Sequence, residues 1–304
     1  MITSKIKKWE SGLIMIYIAV GLVTSCTTLQ KPDRRYNVTI NKPTYTKQYP
    51  TVLYDEAHLN THTSKGTYKP FVDLISNDGY KVYVNKHKFS IQVLETYDLL
   101  VICNAKSDKN LPRDIGAFTA EECKAVTNWV REGGSLLLIA DHHPFGLANR
   151  ALAASFGVKM GGGSVKDESI QDGQLEFSHS NGLLGEHAIT NGLDKIVTFT
   201  GQSLGGNAVS LLKFGANTTE VRPDSIWQQE GKNYIRFGKP ESVAGLSQAM
   251  ALEYGKGRVV VLGDAAMISA QKLFGRRFGM NYPVETDNKQ FALNLMHWLT
   301  KKAF

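Results

Sequence analysis

The sequence predicts an α/β fold in which a mainly parallel sheet is sandwiched between helices and interrupted by a β-rich or irregular insertion. Three observations predict it. Short apolar runs alternate with amphipathic stretches that end in glycine, the pattern of strand-helix-strand units. The runs at 98–105, 135–141 and 257–265 are almost continuously apolar, as strands covered on both faces must be. The alternation stops between residues 158 and 250 and resumes before the C-terminus. With 304 residues, 42% hydrophobic and 21% charged, the chain can bury a full core.

Lys5, Lys7 and Lys8 precede the apolar stretch 11–25, which at 15 residues is short for a spanning helix of ~20. Residues 1–25 therefore read as an export signal. Its end, Val23-Thr24-Ser25-Cys26, resembles the lipobox of bacterial lipoproteins, whose cysteine is acylated and becomes the new N-terminus; an uncleaved N-terminal anchor is the alternative. Either way the remainder lies outside the cytoplasm. Residues 26–48, rich in Thr, Lys, Pro and Asn with no sustained period, read as a tether. The folded domain is expected over 49–304.

Within it, residues 51–57 read as a strand, 67–79 as a helix closed by Gly79, and 80–85 as a strand. A strand at 98–105 and a helix at 118–134 follow. Thr119 and Glu122 have capping-box spacing at the start of that helix, and Gly133-Gly134 end it. Residues 135–141 form the next buried strand and 147–157 a helix. The insertion, about 158–250, holds many glycines and strand-like pieces at 195–201 and 208–214. A buried strand at 257–265 then leads to an amphipathic helix at 288–302, where Phe291, Leu295, Trp298 and Leu299 share one face. Strands 51–55, 99–104, 135–141 and 258–263 are expected to be neighbours.

Thirty-five basic against 28 acidic residues leave a charge of +7, but no Lys/Arg run exceeds two residues, so a nucleic-acid footprint is excluded. Three cysteines build no disulfide framework, and Cys103 and Cys123 read as small core residues.

Ligands of open α/β sheets bind at the carboxyl ends of the strands. Those ends here carry Asp55 and Glu56 with His58 and His62 just beyond, then Asn104, then Asp141, His142 and His143, then Asp264. Four of the eight histidines thus fall on one predicted edge, which is expected to form a crevice that binds a ligand. Taken singly, a strand-end Asp caps a following turn as readily. The His58/His62 spacing lacks the Glu of the zincin helix.

The runs YDEAHLNTH, GGSLLLIADHHPFG, GKGRVVVLGDAAMISAQ and DNKQFALNLMHWL resemble GIFT-type domains of the class I glutamine amidotransferase-like superfamily, found in gliding-motility, intraflagellar-transport and bacterial lipoproteins. The resemblance covers most of 50–304 and is weakest in the insertion. It implies a flavodoxin-like three-layer sandwich and a ligand-binding role, with carbohydrate as the suggested ligand. The amidotransferases carry a cysteine nucleophile in a strand-to-helix turn; here that turn carries Asp141-His142-His143, so thiolate hydrolysis of glutamine is not expected.

Three function classes remain open. In the first, the crevice binds a polar small molecule or carbohydrate through Asp55, Glu56, His58, His62, Asn104, Asp141, His142 and Asp264, with Tyr54 or Phe145 as a stacking face. In the second, Asp55, His58, Asp141 and His142 hold zinc or manganese and activate water for hydrolysis. In the third, a structural lipoprotein docks a protein partner. Thr27 after Cys26 favours the outer membrane of a Gram-negative cell envelope, with the lipid as anchor.

Overall fold

The computed structural model describes residues 30–107, 116–170, 173–230 and 232–301. The expected signal peptide and the lipidation residue Cys26 lie outside the described residues. The main sheet has nine strands. They are β1 (Thr51–Asp55), β2 (Lys81–Asn85), β3 (Leu99–Cys103), β4 (Ser135–Ile139), β5 (Val158–Met160), β6 (Leu204–Gly206), β7 (Val209–Lys213), β8 (Ser247–Tyr254) and β9 (Gly257–Leu262). Across the sheet they run β2-β1-β3-β4-β9-β8-β6-β5, with β7 also paired to β8. The first five in this order are parallel, and β1, β3, β4 and β9 are consecutive neighbours, as expected from their apolar runs.

Period-two alternation within each strand builds the two outer layers. Val52, Tyr54, Val101, Leu137, Ile139, Val260 and Leu262 point to one face, where α1 (Lys69–Asn77) contributes Phe71, Leu74 and Ile75. Leu53, Leu100, Ile102, Leu136, Leu138, Val259 and Val261 point to the other. The short α2 (Ile91–Leu94), α3 (Ala120–Arg131) and α4 (Phe145–Ala154) cover that second face with Leu94, Val126, Trp129, Val130 and Leu152. The C-terminal α5 (Asn288–Leu299) lies on the first face through Phe291, Leu295, Met296 and Leu299. The result is the mostly parallel α/β sandwich that the alternation predicts, in the three-layer, flavodoxin-like form that the resemblance implies.

Two expectations are refined. The insertion is β-rich, but β5 to β8 join the main sheet as an antiparallel extension beyond β9. Its other strands form a three-stranded sheet (Ser164–Asp167, Thr218–Val221, Glu241–Ser242), a pair (Gln174–Ser178 with Lys195–Phe199) and a hairpin (Pro223–Gln229 with Lys232–Phe237).

The second refinement is a correction to the tether. From residue 30 onward it is docked rather than free. Lys31–Pro32 pairs with Ala270–Leu273, Tyr36, Val38, Ile40 and Tyr45 pack against the core, and the Thr44 amide donates to Asp78 at 2.8 Å. Gly79, at φ 101°, lets the Tyr45 backbone lie against the end of α1, where a Cβ would collide with it. Composition alone hides this because the anchoring groups are backbone amides and scattered aromatics.

Candidate functional site

The expected site residues do gather at the carboxyl edge of the parallel strands, but in two groups with different chemistry. The first lies beyond β1 and β2. His58 places Nδ1 2.9 Å from Asp55 Oδ2 and Nε2 2.8 Å from Glu122 Oε1. Its ring packs between Phe89 and Phe118, with centroids 4.6 and 4.8 Å away. Asn85, at the end of β2, donates to Asp55 Oδ1 at 3.0 Å. Glu122 accepts from the amides of Thr119 and Phe89, both at 3.0 Å. Asp55, His58 and Glu122 are all buried. Burial opposes protonation of His58, but its bonds to Asp55 and Glu122 outweigh that cost and raise its pKa. Burial likewise raises Glu122, and the Thr119 amide and His58 bring it below the usual carboxylate range. This group is a closed acid-imidazole-acid clamp.

Glu56, beside it, accepts from the amide and hydroxyl of Ser64 and pairs with Lys86 at 2.7 Å. It braces the 56–64 loop.

The second group lies beyond β3, β4 and β9. Asn104 adopts φ 48°, a conformation asparagine tolerates better than most residues. Its Oδ1 takes the Asp141 amide at 2.9 Å, so its role is to hold the next loop. Asp141 caps the His142 amide at 2.8 Å. The charge of Asp141 raises the pKa of half-buried His142 against burial, with the His143 carbonyl and Asp264 assisting. Asp264 is fully buried and receives the amides of Phe199, Ala266 and Met267. Burial, and then Asp141, push its pKa up to about 7, which those amides only partly offset.

His62 is also buried, with Nδ1 2.6 Å from Thr67 Oγ1 and its ring stacked on Tyr68. Burial, then the charges of Lys106 and His142, hold its pKa down to about 3, so it stays neutral.

Tyr54 is fully buried and donates to the His62 carbonyl, which removes it as a stacking face. Phe145 remains half-buried, with Lys106 Nζ 5.8 Å above its ring and His142 6.4 Å from it. Lys106, Asp141, His142 and Phe145 are the half-buried side chains around this second group. The sequence signals missed were Glu122, legible only as a capping residue, Lys106 just past Asn104, and Gln202. Gln202 donates to the carbonyls of Ala140 and Asp141 and accepts the Gly162 amide.

Among the described residues no group of three or more His, Cys, Asp or Glu side chains is arranged to hold a metal ion. The expected set Asp55, His58, Asp141 and His142 is divided between the two groups, and both ring nitrogens of His58 already face carboxylates. Cys103 lies inside β3 and Cys123 on α3, both buried with thiol pKa values raised by desolvation. Neither occupies a nucleophile turn. No helix of the described residues is long and apolar enough to cross a membrane.

No family model matches the sequence, and no curated protein does. Among solved structures, the mmIFT52 N-terminal domain superposes with a TM-score of 0.58 at 14% identity, over 84% of this chain and 99% of that one. A ThuA-like protein from Bacteroides uniformis matches at TM-score 0.42 and 11% identity, over 87% of this chain and 94% of its own. A GMP synthase component from Thermoplasma acidophilum matches at 0.40 and 11%, over 84% and 96%. At these identities the likeness is one of fold alone.

Proposed function

We propose that the chain is an exported lipoprotein, acylated at Cys26 and held on the outer membrane of a Gram-negative envelope. Its crevice binds a polar small molecule of the carbohydrate class. The observation that carries the binding role is the half-buried quartet Lys106, Asp141, His142 and Phe145. It combines a carboxylate acceptor, a lysine ammonium donor, an imidazole and an aromatic face, the set that recognises hydroxyl-bearing rings. The same reading makes the domain GIFT-type, which its sequence runs suggest and its fold permits. A metal-dependent hydrolase using zinc or manganese has less support, because His58 has no ring nitrogen left to offer.

The test is calorimetric titration of the detergent-solubilised full chain with a panel of mono- and disaccharides, beside elemental analysis. Binding of one sugar class that weakens about tenfold or more in Asp141→Ala and in Phe145→Ala, with unfolding temperature unchanged, is the expected result. Stoichiometric zinc or manganese that disappears in Asp141→Ala would instead establish the hydrolase reading.

A further inference from the structure

The three-stranded sheet of Lys31–Pro32, Ala270–Leu273 and Arg276–Gly279 is separate from the main sheet. Leu273 and Arg276 are its last paired residues at one end. Phe274 and Gly275 between them form a two-residue turn with φ values of 49° and 79°. Turns of this hand favour Asn-Gly or Gly-Gly, and a bulky aromatic residue there costs free energy. The fold recovers nothing from it. Phe274 is 77% exposed, more than any other large apolar side chain of the described residues.

Basic residues frame this tip. Lys31 stands opposite Lys272, and Lys272 opposite Arg277, so the three side chains leave one face of the sheet in a row. Arg276 stands opposite Leu273. Like charges placed directly across strands repel. Asp33 balances Lys272 at 2.8 Å. Lys31, Arg276 and Arg277 are exposed, and no salt bridge to another described residue holds them. An anionic partner would relieve this row.

The direction of the chain identifies that partner. Because Lys31–Pro32 runs antiparallel to Ala270–Leu273, the strand traced toward its N-terminus heads for the Phe274 tip. Only three residues separate Cys26 from Gln30, at most ~14 Å of extended chain. We infer that the tip of the 270–279 hairpin lies on an anionic lipid surface. Phe274 enters the boundary between headgroups and acyl chains, and Lys31, Arg276 and Arg277 face lipid phosphates. This rests on the lipoprotein reading, since acylation at Cys26 is what delivers the tip to the bilayer. The contact sets orientation. Only five residues lie between Asp264 and Ala270, so the hairpin leaves the main sheet at its carboxyl edge.

The test attaches an environment-sensitive nitrobenzoxadiazole group in place of the benzyl ring through Phe274→Cys. Lys256→Cys, at the opposite end of β9, is the control. The full chain is purified, its mass is read for the acyl group, and it is reconstituted into phosphatidylcholine vesicles with or without phosphatidylglycerol.

With phosphatidylglycerol present, the 274 label shifts to the blue and is shielded from iodide while the 256 label is not. The shielded fraction falls about threefold or more in high salt or in Arg276→Glu/Arg277→Glu. A 274 label as open to iodide as the 256 label, on protein that carries the acyl mass, overturns the surface and leaves the lipoprotein reading intact. Absence of the acyl mass overturns the lipoprotein reading and, with it, this orientation. Shielding that requires intact envelopes and not vesicles assigns the tip to a protein partner and also overturns the inference.

Discussion

Glu122 Oε1 lies 2.8 Å from Nε2 of His58, a residue 64 positions earlier in the chain. The same carboxylate completes the capping box of α3, so one buried side chain starts a helix and closes the clamp on Asp55 and His58. The clamp therefore joins β1 to α3 across the edge of the sheet, and its ionisation becomes a property of stability.

Replacing His58 with Leu leaves two buried carboxylates without their cation. The expected loss is on the order of 3–5 kcal/mol, read by urea unfolding at pH 6. The wild-type contribution of His58 is fully present below its unfolded pKa of about 6.5. It is lost as pH rises through the higher folded value, because the native state alone still holds the proton. A His58→Leu variant whose unfolding midpoint matches wild type at pH 6 would show that the clamp carries no stability.

Asp264 contributes a slope of the same sign for the opposite chemical reason. Its native pKa of about 7 lies above the ordinary aspartate value of 3.8, so the native state holds a proton that the unfolded chain releases. Stability should fall by roughly 1 kcal/mol per pH unit between these values. Asp264→Asn keeps an oxygen for the amides of Ala266 and Met267 and should flatten this slope from pH 4 to 7. An unchanged slope would place the titration elsewhere.

His62 should not titrate in the physiological range. With its pKa near 3, its imidazole signals in a two-dimensional nitrogen-proton NMR spectrum stay constant from pH 5 to 8, whereas those of His142 move. Movement of both would mean that the Lys106 side of the crevice is more hydrated than its packing implies.

Gly146 offers a test of the crevice that leaves its side chains in place. A Cβ there would collide with the Gln202 amide, which is buried and anchored to Ala140, Asp141 and Gly162. Gly146→Ala should therefore displace the Asp141 loop and weaken the proposed sugar binding several-fold, while circular dichroism remains native. Calorimetry against the same sugar panel decides it.

The parallel core was legible in the sequence because burial on both faces leaves a local trace: the runs around Val101, Leu137 and Val260 are apolar without interruption. The edge on which Asp55, Asp141 and Asp264 lie was legible too, since parallel strands must present their carboxyl ends together. Tertiary structure alone decided which partners these groups take. Glu122 reaches His58, Gln202 reaches Asp141, and Lys31 pairs with Lys272. Each joins segments far apart in the chain, and hydrophobic periodicity carries information about which way a residue faces but none about which distant side chain will stand opposite it.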